Sequence, residues 1–266
     1  ETLPIAIDAA MKSEEHLRKG LVFLEAFSNS NKINLNDSIL IIDFITEVVS
    51  KCTDSNIQYR TLDVCKNLTV NLDFFEKMIG IYQNIQPESY AVFFSILIYF
   101  YRHESPISMD KYQPFLVSLV EIFNESIQKV SILSAAYQED STNSEIKDEL
   151  YRYTLIQGSA GNLIFFLWFY SPIQLGEFVS QAIESFFYIL KDDCSLSDID
   201  DYHYFSLSNI TNDFANIVLT IKGPAFELIQ GYFDDIVNGQ GIESLQHILC
   251  SSSDTYISLA LNFIEE

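Results

Sequence analysis

Apolar residues in this chain recur at i, i+3, i+4 and i+7, and few stretches alternate with a period of two. The first spacing lines one face of an α-helix and the second one face of a strand, so the pattern predicts helices throughout. The predicted segments are 4–12, 14–27, 35–49, 59–71, 74–82, 90–101 and 109–129. Asn36-Asp37-Ser38 offers cap chemistry at the start of the third. Segment 90–101 is apolar nearly all round, which suits a helix covered by neighbours on every side. Polarity rises between Gln138 and Asp148 with no apolar period, and the expectation there is a flexible loop.

Residues 154–192 set the layout of the second half of the chain. One strongly apolar helical segment runs into Ser171-Pro172, and a second continues to an acidic loop, which is the plan of one α-solenoid repeat. The later chain repeats it. Segment 206–213 stands to 223–232 as 158–166 stands to 181–190, and 241–250 is a further copy of the second part. Leu163, Phe186, Ile210, Leu228 and Leu245 belong to the expected core. A solenoid repeat cannot bury its own apolar face, so it must stack on neighbours, and 1–266 is expected to be one continuous domain. The opening Glu-Thr-Leu-Pro and the helical pattern up to Glu266 suggest a piece of a longer protein.

Composition narrows the partners. Hydrophobic residues make up 48% of the 266, enough for a sizeable core. Fifteen basic against 37 acidic residues leave a formal charge of -22, which repels phosphate backbones and anionic bilayers. The expected partner is a protein with a basic segment, not a nucleic acid. Cys52, Cys65, Cys194 and Cys250 are far apart with no C-x-x-C spacing, as free thiols in a reducing compartment would be. With no signal peptide visible, the cytoplasm is the expected location, the nucleus also being open. The longest apolar runs, 90–101 and 163–170, fall short of the ~20 residues that a bilayer span needs.

Three asparagines follow a small or polar pair and precede an aliphatic residue: Asn67, Asn162 and Asn209. They lie 95 and 47 residues apart, the first interval close to twice the second. Periods of roughly 40 to 47 residues belong to armadillo and HEAT solenoids. On these residues the chain resembles the armadillo-repeat proteins. The match is closest from Gly241-Ile242-Glu243-Ser244-Leu245 through Ser253-Asp254 to Ser258-Leu259-Ala260-Leu261, and looser at Gly223-Pro224-Ala225-Phe226 and Gln181-Ala182-Ile183. It covers 158–266 and part of 17–78, with no repeat signature between 79 and 150. It implies an all-α fold, a right-handed armadillo/HEAT-type superhelical solenoid. It also implies a concave groove in which inner-helix asparagines hold the backbone of an extended peptide.

Residues four apart share a helical face, so the candidate groove pairs Asn67 with Asn71, Asn162 with Phe166 and Asn209 with Asp213. The plainer alternative is that these asparagines bond neighbouring backbone and fix the superhelix.

No phosphate-cradling, zincin or hydrolase motif occurs. His16, His103, His203 and His247 are dispersed, and the acidic stretch 192–201 lacks the spacing, glycine and closing glutamate of a calcium loop. No catalytic residue, metal or cofactor is therefore expected. Trp168 is the single tryptophan, so the Trp/Asn ladder of nuclear-import adaptors is missing, and Trp168 reads as core.

The leading reading is a non-enzymatic scaffold, chaperone or adaptor that recognises a basic segment through an acidic concave groove. In its charge and lack of a ladder it resembles the Smg GDP-dissociation-stimulator group, which implies a small GTPase with a polybasic tail as partner. The alternative is a structural helical-repeat subunit of a permanent assembly such as a transport receptor, exchange-factor or ATPase complex. The sequence leaves the oligomeric state open.

Overall fold

The computed structural model describes residues 2–30, 33–69, 71, 73–101 and 112–170. The repeat copies expected at 181–190, 206–213, 223–232 and 241–250 lie outside the described residues, with Phe186, Ile210, Leu228 and Leu245. Every regular element among the described residues is helical, and none is a strand. The chain divides into two compact units, Glu1–Ile107 and Ser108–Glu266.

The first unit carries α1 (Thr2–Ala10), α2 (Glu14–Ser30), α3 (Leu35–Lys51), α4 (Ser55–Asp63), α5 (Phe74–Ile79) and α6 (Tyr90–Tyr101). Local chemistry sets the helix starts. The Ser13 hydroxyl accepts from the backbone N–H of His16 at the head of α2, and the Asp54 carboxylate accepts from Ile57 N–H at the head of α4. At α3 the cap is Asn34, whose Oδ1 accepts from Asp37 N–H at 2.9 Å. The expected cap residues Asn36-Asp37-Ser38 lie inside that helix, because Asn34 supplies the acceptor two residues earlier.

Helix α4 lies at the middle of this unit, packing on α2, α3, α6 and the 3-10 turn that precedes α6. At nine residues it is too short to persist alone, so tertiary contacts hold it. Its central polar residue, Gln58, is fully buried and fully used. Nε2 donates to the carbonyls of Cys52 at 2.7 Å and Asn84 at 2.8 Å, and Oε1 accepts from Gln86 N–H at 2.9 Å. One amide thus closes the end of α3 and fixes the chain entering α6.

The segment predicted as one helix over 59–71 is instead α4, a 3-10 turn at Val64–Asn67, and extended chain from Leu68. Partners distant in sequence compete for its backbone. The Tyr99 hydroxyl donates to the Leu68 carbonyl at 2.9 Å, Thr69 N–H donates to Ser38 Oγ at 2.9 Å, and the Thr69 hydroxyl donates to the Ile33 carbonyl. Likewise the segment predicted over 74–82 stops at Ile79, and a 3-10 turn at Tyr82–Asn84 leads to the backbone held by Gln58. Phe74 meets Phe100 edge-on at 5.5 Å, and Phe75 meets Tyr101 at 5.0 Å, which seats α5 on α6.

In the second unit α7 (Gln113–Glu139) and α8 (Ser144–Tyr170) form a hairpin. The polar stretch expected as a loop is mostly helix. Gln138 and Glu139 close α7, and only four residues separate it from α8. Asp140 Oδ1 accepts from the Thr142 hydroxyl at 2.7 Å, while Asn143 Oδ1 caps α8 by accepting from Glu145 N–H at 3.0 Å. Leu116, Leu119, Val120 and Phe123 of α7 are buried, as are Leu150, Ala160, Leu163 and Leu167 of α8. Lys129 stands over the Tyr153 ring at 5.9 Å, so the helices run antiparallel in that register. Among the described residues no helix is long and apolar enough to cross a membrane.

Two substitutions test this packing. Gln58→Leu takes the side-chain partner from the part-buried Cys52 and Asn84 carbonyls and Gln86 N–H, and is expected to destabilise the first unit by about 1–3 kcal/mol in denaturant titration. Gly20 lets α2 approach α1 so closely that an added Cβ would lie 2.4 Å from that of Ala10. Gly20→Ala is therefore expected to lower stability by about 1–3 kcal/mol despite its better helix propensity, and Ala10→Gly in the same chain to restore most of the loss.

Candidate functional site

The expected groove residues fall in different settings. Asn67 ends the 3-10 turn and Asn71 lies past extended Leu68, so the two do not share a helical face. The Asn67 amide is already engaged, its Nδ2 donating to Asn29 Oδ1 at 2.9 Å and tying the turn to α2. Asn71 is half-buried. Asn209 and Asp213 lie outside the described residues. Only Asn162 and Phe166 have the predicted relation, one turn apart on α8 and both partly exposed.

Burial on α8 shows what that pair belongs to. Buried residues take up more than half the helix circumference, from Gly158 and Thr154 through Gln157 and Ile164 to Ile156 and Leu163. The remaining side is one stripe in steps of three and four, exposed at Asp148, Tyr151 and Leu155 and half-buried at Ser159, Asn162 and Phe166. Tyr151 is 47% exposed and Leu155 36%. The Ser159 hydroxyl turns back onto its own helix, donating to the Leu155 carbonyl at 2.8 Å, so the middle of the stripe is low, with Gly158 beside it. Asn162 Oδ1 is shielded from solvent and has no hydrogen-bond partner among the described residues. Trp168 is also on α8, but its side chain lies outside the described residues.

Charge is distributed unevenly. In the first unit Arg18 bridges Glu14 and Asp54, Arg60 forks onto Glu25 with both contacts at 2.8 Å, and Lys19, Lys51, Lys66 and Lys77 each meet a carboxylate. In the second unit Arg152 meets Glu149, Lys129 is held over Tyr153, and Lys147 is exposed between Glu145 and Asp148 in sequence. Glu121, Glu125, Glu139, Glu145 and Asp148 have no ion-pair partner among the described residues. Individual surface pairs contribute little stability, but they engage seven of the described cations locally.

Among the described residues no group of His, Cys, Asp and Glu could hold a metal ion. His16 shares a 2.7 Å hydrogen bond with the Ser13 hydroxyl at a helix start. His103, His203, His247 and the acidic stretch 192–201 lie outside the described residues, as do Cys194 and Cys250. Cys65 is buried, and that burial pushes its thiol well above the ordinary range, the opposite of a reactive thiolate. Cys52 is half-buried and unbridged. Comparison of the chain with protein-family models, with curated proteins and with solved structures finds no match.

Asp54 carries the one carboxyl shift resolved among these pairs. The Ile57 N–H first, and then Arg18 at 2.8 Å, hold its carboxyl below the usual carboxylate range. A folded-state value below the unfolded value of ~3.9 means that the stabilisation is complete above that pH and is lost as pH falls through the lower folded value. Asp54→Asn retains an acceptor for Ile57 but cannot titrate, so thermal melts of this variant are expected to depend less on pH below ~4 than those of the parent.

Proposed function

We propose that this chain is a non-enzymatic helical protein-binding module, a scaffold, chaperone or adaptor, whose acidic surface takes a basic segment of a partner protein. One observation carries the reading: on a chain of charge -22, Arg18, Lys19, Lys51, Arg60, Lys66, Lys77 and Arg152 are engaged in local pairs, while the exposed Glu121, Glu125, Glu139, Glu145 and Asp148 form no ion pair among the described residues. Such a field speeds the encounter with a cationic partner and disfavours nucleic acid and anionic lipid. The right-handed armadillo/HEAT-type superhelix, its groove of Asn67, Asn71, Asn162, Phe166, Asn209 and Asp213, and a small GTPase with a polybasic tail belong to this proposal through the sequence resemblance. For Asn67 the bond to Asn29 favours a structural role. A subunit of a permanent assembly is the second reading. Val22 at 55% exposure and Phe23 at 39%, neighbours on α2, favour it as an apolar face of the first unit.

A fluorescein-labelled peptide of alternating lysine and serine tests the acidic surface. Its binding, followed by anisotropy, is expected to weaken roughly tenfold between ~0.05 M and ~0.5 M salt as the Debye length contracts, with no binding of the glutamate–serine counterpart. Salt-independent binding, or none, overturns the reading.

A further inference from the structure

Resting on that reading, we infer that the outer face of α7 is where the basic segment docks, as a helix with two cations over Glu121 and Glu125 and an apolar side chain on Ile132. Val117, Glu121, Glu125, Gln128, Ile132 and Ala135 follow one another in steps of three and four, and all six are exposed. At 1.5 Å per residue they run about 27 Å, so a partner helix of about 18 residues covers them. Ile132 at 65% exposure and Val117 at 43% are the apolar points, one on each side of the two glutamates.

Charge selects a cationic occupant. Glu121 and Glu125 stand one turn apart, and neither forms an ion pair among the described residues. Lys129 is the only basic residue of α7, and its place four residues after Glu125 is the order that favours a bond between them. Its ammonium stands instead over the Tyr153 ring of α8, 5.9 Å from the centroid. The two carboxylates therefore meet a partner without an internal counter-ion, and lysines or arginines one turn apart on that partner supply both.

Backbone chemistry selects a helix. An extended peptide draws affinity from main-chain hydrogen bonds, and on this face only Gln128 offers both a donor and an acceptor for them. A helix bonds its own backbone and presents side chains in the same steps of three and four. Cations at i and i+4 with an apolar residue at i+11 match Glu121, Glu125 and Ile132.

The other exposed apolar points lack such charge. Leu40 on α3 adjoins Asp43 and Glu47, which are paired with Lys77 and Lys51. On α2, the charges beside Val22 and Phe23 are Lys19 and Glu25, paired with Glu15 and Arg60. On α8, Lys147 stands between Glu145 and Asp148 in sequence.

Anisotropy with the full chain tests the docking face, using three labelled alanine-based probes of about 18 residues. The first has lysines at i and i+4 and leucine at i+11; the second moves the leucine to i+9, on the opposite side of the helix; the third is the first with two central prolines. The first is expected to bind about fivefold more tightly than the other two. Glu121→Gln with Glu125→Gln is expected to lower its affinity about fivefold, with the circular dichroism melt retained. Glu145→Gln with Asp148→Asn removes the same charge elsewhere and is expected to lower it less than about twofold. Ile132→Ser, an independent variant, is expected to lower it about threefold.

Failure of the first probe, equal binding of either of the others, equal loss from the two charge-removing pairs, or undiminished binding by folded Ile132→Ser overturns the docking face. Binding of the lysine–serine peptide in that case leaves the acidic-surface reading standing. Failure of every probe, lysine–serine included, overturns both.

Discussion

The buried amide of Gln58 is the interaction on which the first unit most depends. A glutamine out of water is costly unless both its ends are paired, and here each hydrogen bond reaches backbone that no helix ladder serves. The Cys52 carbonyl follows α3, and the Asn84 carbonyl and Gln86 N–H lie between the short turns before α6. Three backbone groups from two segments distant in sequence therefore meet at one side chain. Around it are Ile57, Thr61 and Leu62 of α4, all buried, with the Thr61 hydroxyl returned to the Ile57 carbonyl. Two other buried hydroxyls act similarly: Ser38 accepts from Thr69 N–H, and Ser89 donates to the Ser55 carbonyl. The apolar contacts provide cohesion, and these polar anchors decide where the short helices stop.

Surface charge follows a different logic from the core. Arg60 with Glu25 and Arg18 with Asp54 join helices distant in sequence, whereas Lys19 with Glu15 and Lys51 with Glu47 are single-helix pairs four residues apart. None of these leaves a positive patch on the first unit's paired residues. Carboxylates of α7 and of the start of α8 have no such counter-ions among the described residues. The contrast comes from pairing and not from composition alone, since both units are acidic.

Much of the fold was legible in the apolar period, and its failures have specific causes. The segment 90–101 coincides with α6 because a run apolar on every side has few alternatives to a buried helix. The break at Leu68 was invisible because the groups that make it, Ser38 and the Tyr99 hydroxyl, lie about 30 residues away on either side. The polar run after Gln138 looked like a long loop because an exposed helix end and a tight turn share the same residue types. For the site, spacing correctly placed Asn162 and Phe166 on one face. Tyr151 and Leu155, which look like core residues in the sequence, are exposed on the same helix. Periodicity reveals that a helix has faces, but only burial tells which face is covered. For Asn67 the same spacing misled, since the helix ends before Asn71.

The brevity of the Asp140–Asn143 turn also bears on the order in which this protein acquires structure. Closing a turn of that size costs little chain entropy, and helix–coil exchange takes place in under a microsecond, so α7 and α8 can meet as soon as both exist. The Gln58 junction must instead await chain 26 to 28 residues downstream before its amide has partners. During synthesis, α4 therefore emerges ahead of the groups that complete it, and its buried glutamine spends that interval exposed to competing bonds. The hairpin carries no comparable delay: its second helix arrives directly against the first.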